Sequence, residues 1–217
     1  DPKPTSSQVG LGVRNSSINS IFTQGSLLDS ASDTSFAIEG EGFFAIRGED
    51  RNTYYTRNGD FTWATNGANG MMLTTTDGLP VLDSSGKAIT LNNSYVTSRI
   101  TITGDGRICY PDANNNPQPI GMQIGMFQFN NPGGLERQGD SLWAVTGASG
   151  QALNESTNNS VKKSKMVQGY LEGSNVQVAT EMVNLIVAQR AYEMNSKAIT
   201  ATRSEEHTSE LQSPQNL

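Results

Sequence analysis

The feature that most constrains this chain is a C-terminal stretch without glycine or proline. It begins at Ser174, just after Gly173, and the next breaker is Pro214. Within it, Val178, Met182, Leu185, Ile186, Tyr192 and Ile199 recur at spacings of three, four and seven, which predicts one apolar stripe on a helix. Ser174 and Gln177 fit the S-x-x-Q capping pattern at its start. A helix over 176–202 would run about 40 Å at 1.5 Å per residue. Met182, Leu185, Gln189, Tyr192, Ser196 and Ile199 follow a heptad seam, with Gln189 and Ser196 as polar interruptions of the kind that set register. Two uses of such a stripe stand open: packing on the chain's own core, or packing on helices of neighbouring subunits. The second is favoured, because everything upstream reads as strands and turns too small to cover so long a helix.

That upstream region reads as an antiparallel β body. Phe36–Ile38 and Phe43–Ile46 around Glu39-Gly40-Glu41-Gly42 predict a hairpin, as do Tyr54–Thr56 and Asp60–Trp63 around Arg57-Asn58-Gly59. Met71–Thr74 with Leu79–Leu82 around Asp77-Gly78, and Ile100–Ile102 with Arg107-Ile108 around Asp105-Gly106, repeat the pattern. Ile89–Leu91, Ile124–Phe129, Leu142–Val145 and Met166–Leu171 complete it. No helix of useful length is expected before Val176. Phe43, Phe44, Tyr55, Phe61, Trp63, Phe127, Phe129 and Trp143 are expected to fill strand interiors instead of stacking on a carbohydrate. The fold class expected is mainly β, with short strands followed by one long amphipathic α-helix. The divisions expected are a linker at 1–8, a β-rich body at 9–172, a helix at 173–202 and a tail at 203–217.

Composition narrows function by exclusion. Lys and Arg are scattered within a net charge of −6, so no nucleic-acid patch forms. The chain holds one cysteine, Cys109, so no internal disulfide forms, and it is expected to face a strand interior or a turn edge and to do no chemistry. The single histidine, His207, lies in the tail, which leaves no Ser-His or Cys-His pair and no His-ligated zinc in the body. Gly40-Glu41-Gly42-Phe43-Phe44-Ala45 satisfies G-x-G-x-x-A, but a dinucleotide site needs that turn to open a helix, and here a strand follows. Asp112-Ala113-Asn114-Asn115-Asn116 starts like a calcium loop and then fails, with Pro117 in the glycine position and Gln123 in the final glutamate position. Glu39, Glu41 and Asp60 read as solvated turn acids. No catalytic residues, cofactor, metal or small-molecule substrate is expected, and the chain is not read as an enzyme.

Several segments carry a resemblance. Glu181-Met182-Val183-Asn184-Leu185-Ile186, Ala188-Gln189-Arg190-Ala191-Tyr192-Glu193 and Asn195-Ser196-Lys197-Ala198-Ile199 resemble the C-terminal signature of flagellar axial proteins, the rod and hook proteins of the bacterial flagellum. Phe22–Leu27, Phe36–Phe44, Tyr55–Phe61, Thr75–Pro80, Phe129–Leu135 and Gln168–Val176 sit in that family's order. The resemblance covers roughly residues 9–202. It implies a structural subunit that forms a helical homopolymer and passes torque from motor to hook. It also implies contacts with other rod subunits, the hook protein and basal-body ring proteins, placement in the basal body from periplasm to outer membrane, and type III export without a cleaved signal. Tyr192–Ile199 and the lack of room for an extra outer domain favour the distal rod branch over the hook branch. A β-rich extracellular binding module is the alternative outside the family. The family pattern also has an N-terminal helix that pairs with the C-terminal one. Against it the chain reads as lacking that helix and the last turns of the other, and residues 203–217 read as foreign and irregular.

Overall fold

A computed structural model describes Arg14, residues 20–67 and 70–211, the last nine of these as backbone. The expected linker at 1–8 lies outside the described residues. The chain forms two compact units, Asp1–Gly173 and Ser174–Leu217.

The first unit is built from short antiparallel strands: β1 (Leu27–Asp29), β2 (Phe36–Glu39), β3 (Phe43–Arg47), β4 (Thr53–Thr56), β5 (Phe61–Thr65), β6 (Gly70–Thr75), β7 (Thr90–Asn92), β8 (Thr101–Ile102), β9 (Arg107–Pro111), β10 (Pro117–Gln123), β11 (Met126–Gln128), β12 (Glu136–Gly139), β13 (Leu142–Ala144), β14 (Leu153–Asn154), β15 (Lys165–Gln168) and β16 (Tyr170–Glu172). The largest sheet has the order β12-β13-β4-β3-β11-β14. Two three-stranded sheets, β5-β6-β7 and β10-β9-β8, and two ribbons, β15-β2 and β1-β16, accompany it.

Strand β3 is the centre. Its run Phe43-Phe44-Ala45-Ile46 is apolar at every position because both of its faces are covered. Phe44 and Ile46 enter one cluster with Phe36, Ile38, Phe61, Leu73, Ile89 and Leu91. Phe43 and Ala45 enter a second with Tyr55, Phe129 and Leu135. Ring contacts tie strands across these clusters: Phe44 meets Phe61 edge-on at 5.1 Å, and Tyr55 meets Phe129 at 4.9 Å. Of the eight aromatics expected in strand interiors, five are buried, while Trp63, Phe127 and Trp143 are half-buried. Cys109 is buried in β9, as expected.

Two expected hairpins do not form. Strand β2 pairs with β15, placing Phe36 opposite Gln168, while β3 pairs with β4 and β11. Residues 40–42 are therefore a corner between sheets, with Gly40 at φ 136°, where a side chain would be strained and would meet Ser164. Nor do β4 and β5 pair with each other: β5 pairs with β6, and Asn58-Gly59 is a crossover held by local bonds from Asn58 N to Thr56 Oγ1 and from Asp60 N to Asn58 Oδ1. The other two turns form as expected. Thr75 N donates to Leu79 O and Val81 N to Leu73 O, and Thr103 N donates to Arg107 O beside Gly106 at φ 80°.

The second unit is one helix, α1 (Val178–Leu211). It differs from expectation at both ends. Ser174 Oγ accepts from Val176 N, outside the helix, and Gln177 O accepts the first helical bond from Glu181 N, so Gln177 is the flanking residue and the S-x-x-Q box does not form. At the far end the backbone stays helical through 203–211 instead of becoming irregular. That segment has no glycine or proline, and its glutamates are good helix formers, so loss of the apolar stripe does not stop the helix. No helix among the described residues is long and apolar enough to cross a membrane.

Candidate functional site

Three of the segments that carry the family resemblance meet at one guanidinium, and a fourth joins through the carboxylate paired with it. Arg57 follows β4. Its Nε donates to Glu172 Oε2 at 2.7 Å and its Nη2 to Glu172 Oε1 at 3.1 Å, a two-pronged fit of planar guanidinium to planar carboxylate. Its Nη1 donates to the carbonyls of Gly40 and Gly42, both at 3.0 Å, and its Nη2 to that of Ile38 at 3.5 Å. The guanidinium carbon lies 5.7 Å from the centre of the Phe43 ring. Glu172 Oε1 also accepts from Gly25 N at 3.0 Å, and Gln24 bridges to Gly40 N and Ile38 O. Arg57 and Glu172 are 13% and 11% exposed and form the one ion pair among the described residues.

The same corner is backed by a buried polar cluster. Glu155 Oε1 accepts from Gln128 Nε2 and Ser164 Oγ, each at 2.8 Å, and its Oε2 from Ser164 N at 2.7 Å. Ser164 Oγ in turn accepts from Gly42 N at 3.0 Å. Gly42 thus links the two groups, through its carbonyl to Arg57 and through its amide to Ser164. Among the described residues every buried side-chain nitrogen and oxygen has a partner. An arrangement so fully satisfied holds backbone segments in place; it leaves no polar atom aimed at a ligand.

Sequence reasoning quoted both Arg57 and Glu172 inside motifs but read Arg57 as part of a hairpin turn. The available signal was the lone cation at the end of an aromatic strand, where a buried position needs a counter-charge.

On α1, the expected assembly residues Val178, Met182, Leu185, Ile186, Gln189, Tyr192 and Ile199 are all exposed, the six apolar ones from 48% at Ile186 to 76% at Tyr192. The six apolar ones share a broad face. Val183, Val187 and Met194 are exposed as well, and at 3.6 residues per turn they fall roughly opposite. The expectation of one stripe is therefore incomplete, since the helix carries two apolar faces. Between Val178 and Thr202 only Glu181, Arg190, Glu193 and Lys197 are charged.

The family described as "Flagellar hook protein FlgE/F/G D1 domain" matches residues 37–110, which include Arg57, and "Flagellar basal body rod FlgEFG protein C-terminal" matches 167–204, which include Glu172. The ion pair joins the two matched regions. The flagellar basal-body rod protein FlgG of Buchnera aphidicola (subsp. Acyrthosiphon pisum) is 38% identical over 200 residues, covering 92% of this chain and 72% of the relative. FlgG of Borreliella burgdorferi is 39% identical over 198 residues, covering 91% and 71%. FlgG of Caulobacter vibrioides is 38% identical over 212 residues, covering 97% and 76%. These relatives carry rod and not hook names, and by sequence the chain belongs to the flagellar basal-body rod protein family, on its FlgG side.

Proposed function

We propose that this rod-family chain polymerises through α1 into the helical tube of the distal rod and passes torque along it from motor to hook. The observation that carries the reading is the exposure of every large apolar side chain between Val178 and Ile199. A soluble monomer rarely leaves so continuous an apolar surface uncovered. A rod subunit has no substrate, cofactor or catalytic residue, so the chain acts mechanically and not as an enzyme. Its partners are further copies of itself, neighbouring rod subunits, the hook protein and the surrounding ring proteins. It works in the basal body between periplasm and outer membrane, after export without a cleaved signal.

Sedimentation and electron microscopy of the parent, Leu185→Asp and Ile186→Asp test this. With a family-type N-terminal helix joined to each, the parent should form sedimenting rods. Each aspartate variant should stay in the supernatant with its β spectrum intact, because a charge would be buried at the contact. An aspartate variant that sediments like the parent refutes α1 as the assembly surface. The proposed division into a β body at 9–172 and an assembly helix at 173–202 predicts that the body alone shows a cooperative β melt by circular dichroism. A coil spectrum would refute that division. Residues 203–217 are proposed to add no assembly surface, so deleting them should leave sedimentation unchanged.

A further inference from the structure

We propose that Arg57 is the positioning residue through which force carried along α1 enters the β body, with Glu172 as its grip on the last strand; this rests on the reading of the chain as a torque-carrying subunit. The covalent path from α1 into the body runs through Gly173 into β16. That strand has three residues and, among the described residues, pairs only with β1, itself three residues long, with Leu27 opposite Glu172 and Asp29 opposite Tyr170. A ribbon this short is marginal by itself. Leu27, Leu28 and Tyr170 are exposed, so apolar packing holds it weakly.

The ribbon is tied at its two ends by different means. At the Tyr170 end the ties are backbone bonds of Gly169, which donates to Ser35 O and accepts from Ser30 N, both at 2.8 Å. At the Glu172 end, where tension from α1 arrives, Gly173 N donates to Ser26 O at 2.7 Å within the ribbon, and one carboxylate adds side-chain ties, receiving Gly25 N from the β1 side and both prongs of Arg57. Arg57 then grips three carbonyls of the 38–42 corner, which leads directly into the buried strand β3 and is backed by Ser164 and Glu155. The route is α1, β16, Glu172, Arg57, corner, central sheet. Lysine cannot reproduce it, since one ammonium has neither the planar fork nor the five donors.

The test is optical-trap stretching of the full chain with handles at Asn114→Cys, in the exposed turn after β9, and Ser174→Cys. Placing the second handle before the helix keeps α1 itself free of tension. Arg57→Lys and Glu172→Gln, the latter preserving shape, should open the first step on the order of tenfold faster at the same force. Leu91→Ala, in the core at β7, should lower the denaturant midpoint and leave that first step unchanged. An Arg57→Lys chain that opens at the parental rate, or a Leu91→Ala chain that opens as fast as Arg57→Lys, overturns the proposal. The measurement is made on single monomers, so a failure of α1 to drive assembly would register only in the sedimentation test.

Discussion

Gly59→Ala probes the crossover that replaces the expected hairpin. The φ of Gly59 is not positive, so alanine is conformationally acceptable there and the effect is steric. A Cβ at this position would lie 1.8 Å from the Phe36 carbonyl oxygen, 2.7 Å from its carbon and 3.0 Å from Phe44 Cε2. Ordinary carbon–oxygen contact is about 3.3 Å, so the start of β2 must retreat by about 1.5 Å. Retreat also breaks the bond from Phe36 N to Gly59 O, now 2.9 Å, and pulls Phe36 out of the main apolar cluster. Overpacking costs about 1–3 kcal/mol and a lost backbone bond about 1 kcal/mol. The stiffer unfolded chain returns about 0.4–1 kcal/mol. The net is a loss of about 2 kcal/mol, which for a body of this size lowers Tm by about 4–8 °C. Gly78→Ala is the control: φ is +83° and no atom lies within 4 Å, so only left-handed backbone strain of about 1 kcal/mol applies. Thermal melts of the two variants should rank Gly59→Ala below Gly78→Ala. Equal melts, or the reverse order, would refute the crossover geometry.

Glu155→Gln should cost about 1–3 kcal/mol in denaturant unfolding, because the amide turns a donor toward the donors of Gln128 or Ser164; an unchanged midpoint would contradict the buried cluster. Burial pushes the Tyr55 phenol above its ordinary value of 10.0. Its folded pKa therefore exceeds the unfolded one, and the stability it contributes is present below pH 10 and lost as pH rises through the folded value. Tyr55→Phe should flatten the fall in Tm between about pH 9 and pH 11, and an equally steep fall would show that Tyr55 is not the group responsible.

The helix was legible because its cause is local: a long segment without breakers, with apolar residues at helical spacing, forms a helix in almost any context. Its ends were less so, since propagation through 203–211 follows propensity and not the apolar stripe. The strands at Phe43–Ile46 and Met71–Thr74 were legible for the same local reason. The pairing of the first was not. Asn58-Gly59 satisfies every short-range rule for a hairpin, yet β4 pairs instead with the preceding strand β3 and with β13, far away in the chain, because that is how its faces are buried. Strand β10 was missed because Pro117 and Pro119 argue against a ladder; it is an edge strand, where a missing amide is tolerated. Strands β12 and β14 are short and polar and borrow their structure from neighbours. The Arg57–Glu172 pair spans 115 positions, and no spacing rule reaches that far.

The two faces of α1 bear on the kind of assembly that suits it. Fully burying a large apolar side chain is worth about 1.5–3 kcal/mol, so covering the broad face of six gives a gross gain of about 9–18 kcal/mol. Association itself costs about 4–15 kcal/mol, before side chains are immobilised. A contact on one face therefore leaves little surplus, and an isolated dimer would be weak. Covering Val183, Val187 and Met194 as well raises the gross gain to about 14–27 kcal/mol without a second full association cost, provided that each helix is enclosed by more than one neighbour at once. The four charges between Val178 and Thr202 are two acids and two bases, so like-charge repulsion between copies does not oppose such enclosure. A closed dimer uses one patch twice, whereas a heterologous lattice gives every subunit several different neighbours. On the proposed reading of α1 as the assembly surface, its two faces suit such a lattice better than a closed pair.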